Sequence, residues 1–155
     1  MKGNIVLILD KDTMEVINAH PELSIAAKFI NKAKFDVKLR NNAKPFTVFV
    51  LNNDAFKNLE ATIDNMPIEG KYGIAEIIGR HTVAGHGRIM STKLNERNGW
   101  MITVDNYNEF GNIIFKREDD FLIAREPTGM DKSRKVLEAD ILSSDGVIHI
   151  IEGIL

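Results

Sequence analysis

The stretch from residue 145 to 155, "DGVIHIIEGIL", sets one histidine in a run that otherwise reads as strand core. Side chains alternate between faces along a strand, so Val147, His149 and Ile151 share one face and Ile148 and Ile150 the other. Both faces are apolar, the pattern of a strand covered on both sides in the middle of a domain. An imidazole there needs a hydrogen-bond partner or costs about 1–3 kcal/mol. His149 is therefore expected to be a satisfied core histidine that serves as a strut.

Working outward, "SSDG" at 143–146 precedes this run and "KVLEADIL" at 135–142 precedes the turn. An Asp-Gly pair between two apolar strands is a strong hairpin signal. Earlier still, "GWMITV" at 99–104 would turn Trp100, Ile102 and Val104 inward, and "NIIF" at 112–115 and "FLIA" at 121–124 read as further strands. The first half has a different period. Asp12 with Glu15 resembles a capping box ahead of Met14, Val16 and Ile17, and Pro21 closes that helix. Ser24 is the expected cap of a second helix whose apolar stripe is Ile25, Ala26, Phe29, Ile30 and Ala33, with Phe35, Val37 and Leu39 prolonging it after a break. "PFTVFVLNNDAF" at 45–56 reads as a strand running into a helix, with Asn52, Asn53 and Asp54 supplying turn and cap chemistry. In "YGIAEIIGRH" at 72–81, Ile74, Ile77, Ile78 and His81 form one helical stripe, which puts His81 at the core margin. Helices early and strands late argue for an α+β fold.

The chain has 155 residues, 44% of them hydrophobic, which is enough for one domain with a real core. Its 20 basic and 22 acidic residues leave a net charge of −2 and no bulk attraction to nucleic acid or an anionic membrane. "KSRK" at 132–135 follows "REDD" at 117–120 closely and reads as a solvated loop. With no cysteine, disulfides, thiolate metal sites and a cysteine nucleophile are excluded. "MKGNIVLILD" holds five consecutive apolar residues, too few for a membrane span or a signal-peptide core. No N-x-S/T acceptor occurs.

Three segments, in order, resemble the signatures of the fasciclin-type domain, a module of cell-adhesion and matrix proteins, here in what resembles its prokaryotic form. They are "FTVFVLNNDAF", "IIGRHTVAGH" around His81, and "ADILSSDGVIHIIEGIL". The resemblance covers nearly the whole chain and implies one domain over 1–155. It implies an α+β wedge of two short sheets with several helices in the N-terminal half and the last signature as a central strand. It makes His149 the family's buried histidine and supplies Thr47 and Asp145 as family-typical polar partners near the core, although the family more often has Asn at the position of Asp145. A Tyr-His pair credited with integrin adhesion in animal members is incomplete here, since Arg80 precedes His81, while "EADIL" keeps Glu138, Asp140 and Ile141 where an Asp-Ile motif falls.

The resemblance thus implies a non-enzymatic module making protein or glycan contacts at a cell surface or matrix, with Glu138, Asp140, Ile141, His81 and His86 as candidate contact residues. It implies an extracellular, periplasmic or surface location, as a secreted protein, a lipoprotein, or a piece of a longer anchored or multidomain protein whose leader is absent from this sequence. No cofactor, metal, nucleic acid or membrane insertion of this segment is expected. An alternative is a small-ligand-binding or enzymatic domain using a cleft near His81 and His86 with a carboxylate such as Glu76. Zinc would need three or four ligands, and His81 with His86 supplies two. "GHGR" lacks the strand and later glycine of a dinucleotide fingerprint. A third possibility is a scaffold that oligomerises through Trp100, Phe110 or Phe121.

Overall fold

The computed structural model describes residues 10–34, 37, 44–57, 78, 81–83, 87–91, 100–103, 112–118, 121–125 and 133–153. Expectations for Phe35, Leu39, Ile74, Glu76, Ile77, His86, Val104 and Phe110 lie outside these residues, as do those for the side chains of Trp100, Ile102 and Phe121.

The first described elements are two helices, α1 (Thr13–Ala19) and α2 (Ser24–Lys32), joined through a 3-10 turn at Pro21–Leu23. The capping box on α1 is present. Asp12 accepts from the Glu15 amide at 2.8 Å, and Glu15 accepts from the Asp12 amide at 3.3 Å. The cap of α2 differs from expectation, because Ser24 already has helical backbone angles whereas a capping residue needs extended ones. Asn53, far along the chain, does the work instead. Its Oδ1 accepts from the Ile25 amide at 3.0 Å while its Nδ2 donates to Ser24 Oγ at 3.0 Å and to the Pro21 carbonyl at 3.1 Å. Of the predicted apolar stripe Ala26, Phe29, Ile30 and Ala33 are buried and Ile25 is partly buried, Ala27 is buried as well, and Val37 is half exposed and does not prolong it.

Strand β1 (Phe46–Leu51) runs into the short helix α3 (Asn53–Phe56), and β2 (Thr82–Val83) follows. The later strands are β3 (Trp100–Thr103), β4 (Asn112–Glu118), β5 (Phe121–Arg125), β6 (Ser133–Leu142) and β7 (Gly146–Ile151). The α+β class holds, with the described helices early and most strands late. The strands form one hydrogen-bonded order, β2-β1-β7-β6-β5-β4-β3. Where the resemblance implies two short sheets, the described strands form one seven-stranded sheet, in which β6 shifts register twice, between Val136 and Glu138 and between Glu138 and Ile141. Such irregularities bend a strand and increase its twist.

β7 is central, as the two-sided apolar pattern predicts. It pairs in parallel with β1, from Phe46 opposite Gly146 to Leu51 opposite Ile151, and antiparallel with β6 through the "SSDG" turn. All six residues of β7 and all six of β1 are buried. Alternation along these paired strands places Thr47, Phe49, Val147 and His149 on one face.

Candidate functional site

His149 is 2% exposed, with its ring stacked on Phe49 at a centroid distance of 5.5 Å. Both ring nitrogens are used. The backbone amide of Asp140 donates to Nδ1 at 3.2 Å, and Nε2 lies 2.7 Å from the carbonyl of Ile89. A carbonyl only accepts, so Nε2 carries the proton and the imidazole is neutral.

The residue on each side of that ring is held in turn. Asp140 lies at the second register shift of β6 with φ 63°, a left-handed conformation that Asp adopts more readily than most side chains. Its Oδ1 accepts from the Ser91 amide at 2.8 Å and its Oδ2 from the Ser91 hydroxyl. Thr47 Oγ1 accepts from the Ile89 amide at 2.9 Å and donates to the Gly87 carbonyl at 3.0 Å. Residues 87–91 therefore lie across β1, β7 and β6 as a strap, with Ile89 buried beneath it and its backbone groups satisfied by Thr47, His149 and Asp140. Arg88 fastens the strap to the hairpin, donating to the carbonyls of Ser143, Ser144 and Gly146 at 2.9, 3.2 and 3.0 Å.

Asp145 does more than make the turn. Its buried Oδ1 accepts from the Thr13 amide at 2.9 Å, the Thr13 hydroxyl at 2.7 Å and the Ser143 hydroxyl at 3.1 Å, bolting the hairpin to the start of α1. Replacing it, Asp145→Ala, should cost about 2 kcal/mol, since a buried amide and hydroxyl lose their acceptor. Asn should lose less because it keeps one carbonyl oxygen. Urea denaturation of the two variants checks this, and equal midpoints for wild type and Ala would contradict it.

Burial pushes the His149 pKa below its ordinary value of 6.5, although the Ile89 carbonyl and the Asp140 carboxylate pull it the other way. The folded chain then takes up this proton less readily than the unfolded chain. The resulting stability is intact above pH 6.5 and falls as the pH drops from there toward the lower folded-state value, at up to about 1.4 kcal/mol per unit. Subtracting the pH profile of His149→Gln from that of wild type in urea denaturation isolates the effect. A difference that stays constant through this window would contradict it.

Of the remaining sequence candidates, Glu138, Ile141 and His81 are among the described residues. Glu138 is an exposed side chain on β6, 54% accessible, accepting from His20 Nε2 at 3.2 Å. Ile141 is half buried and packs against the core. His81 is 2% exposed, in a turn rather than in a helix, with its carbonyl accepting from the Phe49 amide at 2.8 Å. It lines a cavity of about 50 Å³ together with Ala26, Phe29, Val48, Val50 and Phe56, so that among the described residues the wall beside His81 is apolar. Among the described residues no three His, Asp or Glu side chains gather to hold a metal, and no helix is long and apolar enough to cross a membrane. Ser91, Arg88 and Thr13 were not singled out by sequence. Arg88 sat in view within "GHGR", but nothing local shows that its guanidinium reaches carbonyls some 55 residues on.

A family model for the fasciclin domain matches residues 21–155, and so takes in β1, the strap and the β6–β7 hairpin. This chain belongs to the fasciclin domain family. Its fold is similar to that of a FAS1 domain pair from the insect cell adhesion molecule Fasciclin I, with a TM-score of 0.73 at 16% identity. The alignment covers 94% of this chain and 51% of that one, so this chain spans about half the length of the pair. No curated protein matches the sequence. Helix α1 precedes the matched span, and the Asp145–Thr13 bonds join it to the fasciclin hairpin.

Proposed function

We propose that the chain is a non-enzymatic adhesion-type module that makes protein or glycan contacts at a cell surface or matrix, outside the cytoplasm. It would act as a secreted or lipid-anchored protein or as one domain of a longer anchored chain, with residues 1–155 as one domain. The family match over residues 21–155 carries this reading. The chemistry of the polar groups around His149 and the hairpin is consistent with it, because Thr47, Asp140, Asp145 and His149 spend their hydrogen-bonding capacity on backbone and hydroxyl partners within the fold. In this reading those residues serve the scaffold and contacts fall to exposed side chains, with Glu138 on β6 the best placed of the sequence candidates.

The test uses latex beads coated with the chain and intact cells of the source organism, with beads coated by heat-denatured chain as the reference. Folded chain should bind above the reference. Loss of binding after protease treatment of the cells identifies a protein partner, and loss after periodate oxidation a glycan. Binding no greater than the denatured coat would overturn the proposal.

A further inference from the structure

Asp140 stands between two partners that compete for it. Its backbone amide bonds to His149 Nδ1, while its carboxylate bonds to Ser91 in the strap. A proton added at Nδ1 turns that nitrogen from acceptor to donor, so the ring would then face the Asp140 amide donor to donor. The same proton makes the ring a cation beside a carboxylate whose charge already acts on it. We infer that Asp140 and Ser91 form a latch at the end of this strap released by one proton on His149, with the Asp140 carboxylate leaving Ser91 to pair with the imidazolium.

The surroundings allow one charged partner to dominate. Of the described elements packed against β7, β6 contributes Glu138 and Asp140 near the ring's level, and Glu138 points to solvent beside His20. The strap contributes Arg88, whose guanidinium is engaged at the hairpin carbonyls. The turn contributes Asp145, bound to Thr13 and Ser143, and α1 contributes the exposed Glu15. β1 has no titratable side chain. Burial disfavours the charged ring, so the latch is closed at neutral pH and opens in acid. The left-handed backbone of Asp140 favours a two-state response, since a strained residue held by its neighbours relaxes when one of them lets go. Nε2 keeps donating to the Ile89 carbonyl in either state, and Thr47 and Arg88 keep their bonds, so opening frees the Ser91 end of the strap while Ile89 stays seated.

Native-state amide exchange of the whole chain, followed residue by residue by NMR and corrected for the intrinsic pH dependence of exchange, reads the latch directly. The amides of Ile89 and Ser91 report the strap, and that of Phe49, bonded to the His81 carbonyl, reports the sheet. Opening at Ser91 should rise by up to about tenfold per pH unit as the pH drops from 6.5 toward the lower folded-state value, the slope of one proton, while Ile89 and Phe49 stay protected. Asp140→Asn keeps an oxygen for the Ser91 amide but has no charge for the imidazolium, so its release should move to lower pH. In His149→Gln the slope should vanish. The inference is overturned if Ile89 or Phe49 loses protection together with Ser91, if Ser91 protection stays flat while ring signals show His149 protonated, or if either folded variant keeps the wild-type profile.

Discussion

Gly146→Ala is expected to destabilise the protein by about 3 kcal/mol, chiefly by a clash with backbone. Gly146 opens β7 opposite Phe46 of β1, and a Cβ built on it falls 2.3 Å from the Phe46 carbonyl oxygen. Real Cβ atoms do not approach that closely, and the obstacle is backbone, which cannot swing aside as a side-chain tip can. The two parallel strands would have to separate where the Phe46 amide donates to the Asp145 carbonyl at 3.0 Å and where Arg88 holds the Gly146 carbonyl. Gly153→Ala is the control. Its Cβ would meet the Arg134 side chain at 2.8 Å, and a flexible arginine near the surface can move. Thermal unfolding should show a large drop for the first variant and a small one for the second. Equal midpoints would mean that the β1–β7 spacing is softer than the register implies.

What was legible in the sequence follows the range of the physics involved. Periodicity acts locally, so the two-faced apolar run of β7, the β6–β7 hairpin, the capping box of α1 and the buried stripe of α2 could all be read from neighbouring residues. Interactions that close over long stretches of chain leave no local trace. The replacement of Ser24 by Asn53 as the cap of α2 is one case, and the reach of Arg88 to the hairpin is another. Asp140 is the instructive residue. As part of "EADIL" it is a contact candidate, in a segment that reads as a strand. Nothing in the spelling indicates φ 63°, a register shift, or a carboxylate committed to Ser91, because each depends on where β7 and the strap lie. His149 was legible for the opposite reason, since an imidazole between two apolar faces has to be satisfied wherever its partners come from.

His149→Ala should cost about 2–4 kcal/mol, a large share of a typical stability of about 5–15 kcal/mol. Two terms add. The ring leaves a cavity beside Phe49, and the Asp140 amide and Ile89 carbonyl each lose a partner. The second term can be separated from the first by His149→Phe, which refills the space but restores neither hydrogen bond. If packing dominates, Phe recovers most of the loss. If satisfaction of the two backbone groups dominates, Phe stays near Ala, and the geometry favours this outcome because those groups anchor both the strap and the register shift of β6. Adhesion measured well below each variant's unfolding midpoint should match wild type, since a ring 2% exposed between Phe49 and the strap cannot touch a partner. A variant with wild-type stability and no adhesion would make His149 a contact residue and refute its place as a strut.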